Sequence, residues 1–212
     1  MLFRSVIAEC VSKLTNLQSL KLISIAGLVQ GSRQASNLEL WTILAEHHKL
    51  RDLYLLGILP NYVIDVHFLP PNLRNLTLSL SQLTCDPMPV LGKLPHLNRL
   101  RLFGDSYTGK QITCPSGGFP KLRLLNLCKL PLHDWTVEEE GAMPCLNELE
   151  IRDCYNMKPP EGLKNVTTLK ELVLTNMPMA FGAAVEEILQ DRKVFIKTNT
   201  WCSSPLLVSP LL

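Results

Sequence analysis

The sequence predicts an α/β solenoid, a curved horseshoe with a parallel β-sheet on its concave side and irregular loops or short helices on its convex side. Two observations predict this fold class. The pattern Leu-x-x-Leu-x-Leu occurs about seven times in 212 residues, and its first leucines are separated by 33, 23, 24, 25, 24 and 23 residues. A period of about 20 to 29 residues indicates units that stack to share one continuous core.

The leucines themselves indicate short strands. The last two members of each triplet are two residues apart, so in a strand both point to one face while the residues beside them point to the other. Amphipathic helices are the alternative, but leucines at i, i+3 and i+5 fit the helical period poorly. We therefore predict a leucine-rich-repeat solenoid. The triplets are Leu17/Leu20/Leu22, Leu50/Leu53/Leu55, Leu73/Leu76/Leu78, Leu97/Leu100/Leu102, Leu122/Leu125/Leu127, Leu146/Leu149/Ile151 and Leu169/Leu172/Leu174.

Glycine and proline mark the approach to several strands. Proline lacks an N–H and fits the entry to a strand, and glycine at a fixed offset is expected in turns that need an unusual φ. Three repeats carry glycine five residues and proline two residues before the first leucine, and a fourth carries the proline alone: Gly92/Pro95, Gly117/Pro120, Gly141/Pro144 and Pro71.

The repeats suggest three segments: an N-terminal remnant over residues 1–13, a repeat domain over 14–196 and an irregular tail over 197–212. Inside the repeat domain we expect an insertion near 26–46, with a short helix at 37–46, on the outer side. The residue at the ninth repeat position varies, which predicts an irregular outer side. These residues are Ile25, Ile58, Ser81, Asp105, Leu130, Cys154 and Met177.

A capping helix is expected near residues 179–191. Phe181, Val185, Ile188 and Leu189 fall at i, i+4, i+7 and i+8, an apolar stripe that could cover the core of the last repeat. A final strand is expected at 194–196.

Composition argues against polyanions and membranes as partners. The 21 basic and 19 acidic residues nearly cancel and are scattered along the chain, so we expect no binding to nucleic acid. The seven cysteines contain no Cys-x-x-Cys, which fits neither a disulfide framework nor a zinc site and favours a reducing, cytoplasmic location. No stretch approaches the ~18 apolar residues of a membrane span.

One segment resembles part of a phosphate-binding loop. Gly104–Lys110 has the glycine spacing and the lysine of such a loop, but Gln111 stands where magnesium binding needs Ser or Thr. Pro115 and Pro120 follow and leave no room for the helix that would face the phosphate. We therefore expect no nucleotide site.

Other chemistry-bearing residues do not form a recognisable catalytic or metal pattern. His47-His48 and His133-Asp134 are isolated pairs, whereas metal binding needs several convergent ligands and catalysis needs a positioned nucleophile. Cys128 and Cys154 are expected to pack beside the leucine core. We expect no enzyme, no cofactor and no metal.

The open sheet face is the candidate binding surface. Residues that flank the leucines should stack side by side in successive repeats, and this map places basic and aromatic residues in the middle and acidic residues toward the C-terminus. Arginine and aromatic side chains are favoured anchors of protein interfaces. The predicted protein-binding residues are Tyr54, Arg99, Arg101, Phe103, Glu148, Glu150, Arg152 and Glu171.

Several stretches are more specific than the triplet. They are Leu14–Leu20, Leu69–Leu78, Asp86–Pro95, Tyr107–Lys110, Gly141–Pro144 and Ile151–Cys154. Together they resemble the repeat region of plant nucleotide-binding leucine-rich-repeat disease-resistance proteins of the coiled-coil type. The resemblance covers roughly residues 10–196.

This resemblance implies an intracellular immune-receptor module that senses pathogen effectors or holds the receptor inactive. The implied partners are proteins: a pathogen effector, a guarded host protein, or the receptor's own nucleotide-binding domain. The family's nucleotide-binding domain and coiled coil are not in these 212 residues, so we expect a fragment that keeps the sensor portion. The alternative is a stand-alone adaptor such as an F-box substrate receptor, for which residues 1–13 are too few to form the adaptor motif.

Overall fold

The computed structural model of the chain describes residues 2–23, 38–138 and 141–199. Its helices are α1 Leu2–Ser12, α2 Leu38–Ala45, α3 Met88–Leu91 and α4 Met179–Ile188, with short 3-10 helices at Asn61–Val63 and Glu161–Asn165. Its strands are β1 Ser19–Ile23, β2 Asp52–Leu56, β3 Asn75–Ser79, β4 Arg99–Phe103, β5 Gln111–Cys114, β6 Leu124–Cys128, β7 Asp134–Val137, β8 Glu148–Arg152, β9 Glu171–Thr175 and β10 Phe195–Asn199.

The strands form a solenoid sheet with one strand from each coil. Eight strands pair in the order β1-β2-β3-β4-β6-β8-β9-β10, and every neighbouring pair is parallel. The register aligns equivalent leucines, so that Leu76 pairs with Leu100 and Leu100 with Leu125. The predicted fold class, an α/β leucine-rich-repeat solenoid, is confirmed.

The first leucine of each triplet lies outside the strand. Leu97, for example, precedes β4 by two residues and is fully buried, and its N–H donates to the carbonyl of Leu94 in the turn before it. The two later leucines, Leu100 and Leu102, are also fully buried. The irregular i, i+3, i+5 spacing therefore arises because the chain enters from a turn and only then becomes extended.

The chain leaves most strands of the large sheet through a left-handed turn. A residue with positive φ directly follows six of these strands: Gly57 (104°), Leu80 (54°), Gly104 (40°), Lys129 (54°), Asp153 (53°) and Asn176 (52°). Positive φ is uncommon for residues other than glycine. Its recurrence at one position means that these six coils turn out of the sheet in the same way.

Glycine recurs at the same offset before three strands, and the structure shows two different reasons for it. Gly117 and Gly141 have φ of 64° and 67°, as expected for turns that need an unusual φ. That expectation is wrong for Gly92, whose φ is −60°. A Cβ there would lie 3.1 Å from the Met88 carbonyl oxygen and 3.3 Å from Pro115 Cγ, so the surroundings leave little room for a side chain.

The outer side of the solenoid is irregular, as predicted. It carries α3, both 3-10 helices and a separate parallel pair formed by β5 and β7. At the ninth repeat position Ser81, Leu130 and Cys154 are buried, whereas Ile58 and Asp105 are exposed. Ile25 lies outside the described residues. Different outer segments therefore fill each coil with different side chains.

Two helices lie at the N-terminal end. Helix α1 falls in the segment predicted as an N-terminal remnant, and it packs against α2, which falls in the predicted insertion. His47 follows α2, and its ring nitrogens lie 2.7 Å from the Ile43 carbonyl oxygen and 3.0 Å from that of Val11. Residues 24–37 of the insertion lie outside the described residues.

A helix and a strand follow the last repeat. Helix α4 lies within the range expected for a capping helix, and Phe181, Val185 and Leu189 are buried while Ile188 packs at the edge of the core. Strand β10 extends the large sheet next to β9. Residues 200–212 of the predicted tail lie outside the described part of the chain, and the division into three segments stays a prediction. None of the described helices is long and apolar enough to cross a membrane.

Candidate protein-binding face of the sheet

The large sheet has one face that does not touch the leucine core, and we call it the sheet face. In β4 the leucines at the second and fourth positions are buried, so Arg99, Arg101 and Phe103 point the other way, with Arg99 exposed and the other two half-buried. Tyr54 holds the middle position of β2. The remaining predicted residues lie at equivalent positions on later strands: Glu148, Glu150 and Arg152 on β8, and Glu171 on β9.

Uncharged residues surround the two arginines of β4. Arg99 pairs in register with Asn75 on one side and Leu124 on the other. Arg101 pairs likewise with Thr77 and Asn126. Within the described ranges, neither guanidinium has a hydrogen bond or an ion pair with another residue.

Glu150, the middle residue of β8, is already paired. Glu150 accepts a hydrogen bond from Arg152 at 3.1 Å through one carboxylate oxygen. Its other oxygen accepts from the Asn126 side chain at 2.5 Å. Glu150 and Arg152 therefore neutralise each other within the sheet face.

Glu171 is paired as well. Lys197 Nζ on β10 lies 2.7 Å from the Glu171 carboxylate and 5.1 Å from the centroid of the Phe195 ring. Glu148, in contrast, has no ion pair with any residue of the described segments. Of the three acidic residues predicted to bind a partner, Glu148 is the one whose charge has no counterion among the described residues.

An aromatic side chain lies near the N-terminal end of the sheet face. Tyr54 is half-buried, and Lys21 Nζ on β1 lies 4.8 Å from the centroid of its ring. A lysine over an aromatic face is attracted by the ring quadrupole. On the other side of Tyr54, Thr77 separates it from Arg101 in the same row.

Three further arginines extend the positive charge, and the predicted site did not include them. Arg51, Arg74 and Arg123 are exposed and directly follow the first leucine of their triplets. Their backbones continue the ladder by one row: the Arg74 N–H donates to the Arg51 carbonyl at 2.8 Å, and the Arg123 N–H to the Asn98 carbonyl at 2.8 Å. Their common offset from the leucine was the signal that could have found them.

A groove of about 510 Å³ runs along the turns where the strands end. Asp105, Lys129 and Asp153 line it, together with Tyr155 and Asn176. The Asp153 carboxylate accepts hydrogen bonds of 2.9 Å from the Tyr155 hydroxyl and from the Asn176 side chain. The hydrogen bond from the Tyr155 hydroxyl to Asp153 is the main reason why the pKa of Tyr155 is raised. The groove is thus built by equivalent turns whose side chains bond to one another.

The segment that resembles a phosphate-binding loop has a different structure. Gly104–Lys110 leads directly into strand β5, so no helix N-terminus faces it. A Cβ at Gly109 would lie 2.1 Å from the Tyr107 hydroxyl, which donates to the Gln111 carbonyl at 2.7 Å. The glycine is required by packing against that tyrosine.

The cysteines near the core are protonated thiols. Burial raises the pKa of Cys114 to about 12 and that of Cys154 to about 11. Burial also raises the pKa of half-buried Cys128. None of these three has the thiolate character that a nucleophile needs. Over the part of the chain that the structure describes, no three His, Cys, Asp or Glu side chains are grouped to hold a metal ion.

Comparison with known proteins agrees with this architecture. A family model described as a leucine-rich repeat region matches residues 3–188. The chain is 41% identical over 124 residues to Disease resistance RPP8-like protein 3 of Arabidopsis thaliana, a match that covers 58% of this chain and 14% of that protein. It is 42% identical over 124 residues to Disease resistance protein RPP8 of the same plant, with the same coverage.

A third Arabidopsis relative bears a different name. Disease susceptibility protein LOV1 is 36% identical over 129 residues, which cover 60% of this chain and 14% of LOV1. The matched region is thus only 14% of the length of each of these three curated relatives.

Proposed function

The chain belongs to the leucine-rich repeat region family, and on this premise we propose that its sheet face is a protein-recognition surface of a plant disease-resistance receptor. The observation that carries the proposal is the sheet face itself, on which Arg99 and Arg101 have no charged partner among the described residues. Repeat solenoids use such extended faces to bind other macromolecules. Arginine and aromatic side chains are frequent anchors of protein interfaces.

The relatives connect this surface to defence. Two of them are named for disease resistance and one for disease susceptibility. We propose that the chain takes part in a cytoplasmic defence response and that its partner is a pathogen effector, a guarded host protein or the receptor's own nucleotide-binding domain. These names favour a receptor module over an F-box adaptor.

The role that we propose is binding and not catalysis. The protonated thiols of Cys114 and Cys154 are unsuited to nucleophilic attack. The Gly104–Lys110 segment ends in a strand and not at a helix that could face a phosphate. Arg99 and Arg101, unpaired among the described residues, are suited to non-covalent contact with a partner.

A graft into a relative tests this function. The matching region of disease resistance protein RPP8 is replaced by this chain, and the chimera is expressed in leaves. The double variant Arg99→Glu/Arg101→Glu is compared with Lys93→Glu/Lys164→Glu, which changes net charge equally at exposed residues of the connecting segments.

We expect the sheet-face variant alone to change the defence response, measured as leaf cell death at equal protein abundance. Relative to the parent chimera, cell death can be lost if the sheet face senses an effector or a guarded protein. It can become constitutive if the sheet face holds the receptor inactive. Indistinguishable behaviour of the two variants would refute the proposal.

A further inference from the structure

We propose that the sheet face docks an acidic segment of a partner protein, and that a basic patch formed by Arg51, Arg74, Arg99, Arg101 and Arg123 receives it. The inference rests on the proposed recognition function and specifies the chemistry of the partner. It follows from an asymmetry of charge along the sheet. Arg99 and Arg101 on β4, and Arg51, Arg74 and Arg123 just before β2, β3 and β6, are unpaired within the described residues, whereas two of the three acidic residues farther along are paired.

The arginines of β4 are isolated from negative charge by distance. Their neighbours on both adjacent strands are uncharged. In the row of Arg101 the next acidic residue is Glu150, which is two strands away and is paired with Arg152. In the row of Arg99 the next acidic residues, Asp52 and Glu148, lie two strands away in either direction. Two strand spacings are about 10 Å, which exceeds the screening length of about 8 Å at physiological salt.

One of those two acidic residues is also engaged. The Asp52 carboxylate accepts a hydrogen bond from the side chain of Asn75, the neighbour of Arg99. Asn75 lies between the two residues, and Asp52 forms no ion pair with Arg99. A carboxylate supplied from outside is therefore the natural counterion of the basic patch, and it would pair with guanidinium groups bidentately.

The dimensions of the basic patch suit an extended peptide. The patch spans the four strands β2, β3, β4 and β6, or about 14 Å across the sheet at about 4.8 Å per strand. Arg99 and Arg101 are about 7 Å apart along β4. An extended segment of about four or five residues crosses this distance, so two or three acidic residues can each meet an arginine.

Apolar side chains beside the arginines indicate that the partner is a protein. Tyr54, Phe103 and Leu124 are half-buried on the sheet face, so each still presents apolar surface next to a charge. An aromatic or aliphatic residue in the acidic segment would pack there, as anchors do at the centre of protein interfaces.

A long nucleic acid fits this surface less well. A phosphate backbone that continued along the sheet beyond β6 would meet the unpaired carboxylate of Glu148 within one strand spacing. Nucleic-acid sites favour continuous positive stripes instead. The short extent of the basic patch favours a compact acidic segment.

Selection from a random-peptide display library on the full chain tests this inference directly. We expect enriched peptides to be rich in Asp and Glu with an aromatic residue, and to bind more weakly as salt is raised. Arg99→Gln/Arg101→Gln should weaken these peptides about tenfold or more, the change expected when about 1.4 kcal/mol of contact is lost. A second variant, Arg51→Gln/Arg74→Gln, should act in the same direction, and Lys93→Gln/Lys164→Gln should have no effect.

Several outcomes would overturn the inference. The inference fails if the selection enriches neutral or basic peptides or enriches none. It also fails if the lysine control loses as much peptide affinity as the arginine variants. Tighter binding of a short DNA duplex with the same arginine dependence would assign the basic patch to nucleic acid. Concentration-dependent dimerisation that the arginine variant abolishes would assign it to a second copy of the chain.

The two proposals fail separately. If the grafted receptor depends on Arg99 and Arg101 but the selected peptides are not acidic, recognition through the sheet face stands and the acidic partner is wrong. If the peptides are acidic but the grafted receptor is insensitive to the arginines, the binding site stands and its role in defence is wrong.

Discussion

His47 joins the two helices at the N-terminal end of the solenoid: its Nε2 lies 3.0 Å from the carbonyl oxygen of Val11, 36 residues earlier in the chain. The other ring nitrogen lies 2.7 Å from the Ile43 carbonyl oxygen. The imidazole is nearly buried, with 9% of the residue exposed. This single side chain therefore connects the end of α1 to the end of α2.

Removing this imidazole should loosen helix α1. We expect His47→Ala to lower the free energy of unfolding by about 1 kcal/mol, because the link between the two helices is lost while the Val11 carbonyl keeps its hydrogen bond from the Leu14 N–H. The neighbour His48 is exposed and gives a matched control. Chemical denaturation of both variants measures the effect, and equal stability of the two would contradict this role of His47.

Gly162 is expected to tolerate no side chain. A Cβ there would lie 2.5 Å from the Val137 carbonyl oxygen and 2.8 Å from Val137 Cβ, so the 3-10 helix at Glu161–Asn165 would have to move away from β7. Gly162→Ala should destabilise the protein by about 1 to 3 kcal/mol through overpacking. A Cβ at Gly117 would meet nothing within 4 Å, so Gly117→Ala isolates the effect of positive φ, about 1 kcal/mol. Thermal unfolding compares them, and a smaller loss at Gly162 than at Gly117 would rule out the clash.

Cysteine reactivity should follow burial. Cys10 and Cys85 are exposed, whereas Cys114 and Cys154 are buried with the pKa raised to about 12 and about 11. Brief alkylation of the native protein at neutral pH should label the exposed pair and spare the buried pair, as read by peptide mass mapping. Rapid labelling of Cys114 in the native state would show that the core opens there.

The same burial predicts an alkaline limit to stability. Because folding raises the pKa of Cys114 from an ordinary 9.0 to about 12, the thiol contributes stability below pH 9 that is lost as the pH rises toward 12. The unfolded chain releases the proton first, which favours unfolding. Cys114→Ala should flatten the fall in the free energy of unfolding over this interval, measured by denaturant titration. An unchanged pH dependence would exclude the thiol as its source.

The arginines of the sheet face should differ in their effect on folding. Arg99 is exposed and has no partner among the described residues, so Arg99→Ala should change stability by less than about 0.5 kcal/mol. Arg152 bonds to Glu150 at 3.1 Å and is half-buried, so Arg152→Ala should destabilise the protein more, by about 1 kcal/mol after allowance for solvent screening. Melting temperatures compare the two, and a larger loss at Arg99 would contradict the observed pairing.

Sequence reasoning found the strands because the leucine spacing has a direct geometric cause. Leu100 and Leu102 are two residues apart because they share one face of β4, and that face had to be buried. It also identified Arg99, Arg101 and Phe103 as neighbours on the open face for the same reason. It did not detect the pair β5 and β7. Both strands alternate between polar and buried apolar residues, but each has only four residues, which is too short for the alternation to be recognised beside the leucine repeats.

Sequence reasoning also treated Gly92 like Gly117 because both have the same offset from a leucine. The structure separates them, since Gly92 has an ordinary φ and lies where Met88 and Pro115 leave little room for a Cβ. Such contacts join residues that are distant along the chain, and no local pattern reveals them.

The sequence by itself determined the solenoid, the repeat period and the residues that stand on the open face, because each follows from a short-range alternation of side-chain direction. Only the tertiary structure decided which charges on that face are available. Glu150 is neutralised by Arg152 and Glu171 by Lys197, whereas Arg99 and Arg101 face uncharged neighbours. The Glu171–Lys197 pair and the uncharged neighbours of the arginines are set by the register of strands more than 20 residues apart in the chain. The Glu150–Arg152 pair joins two residues of β8 and depends on side-chain conformations that the repeat pattern does not specify.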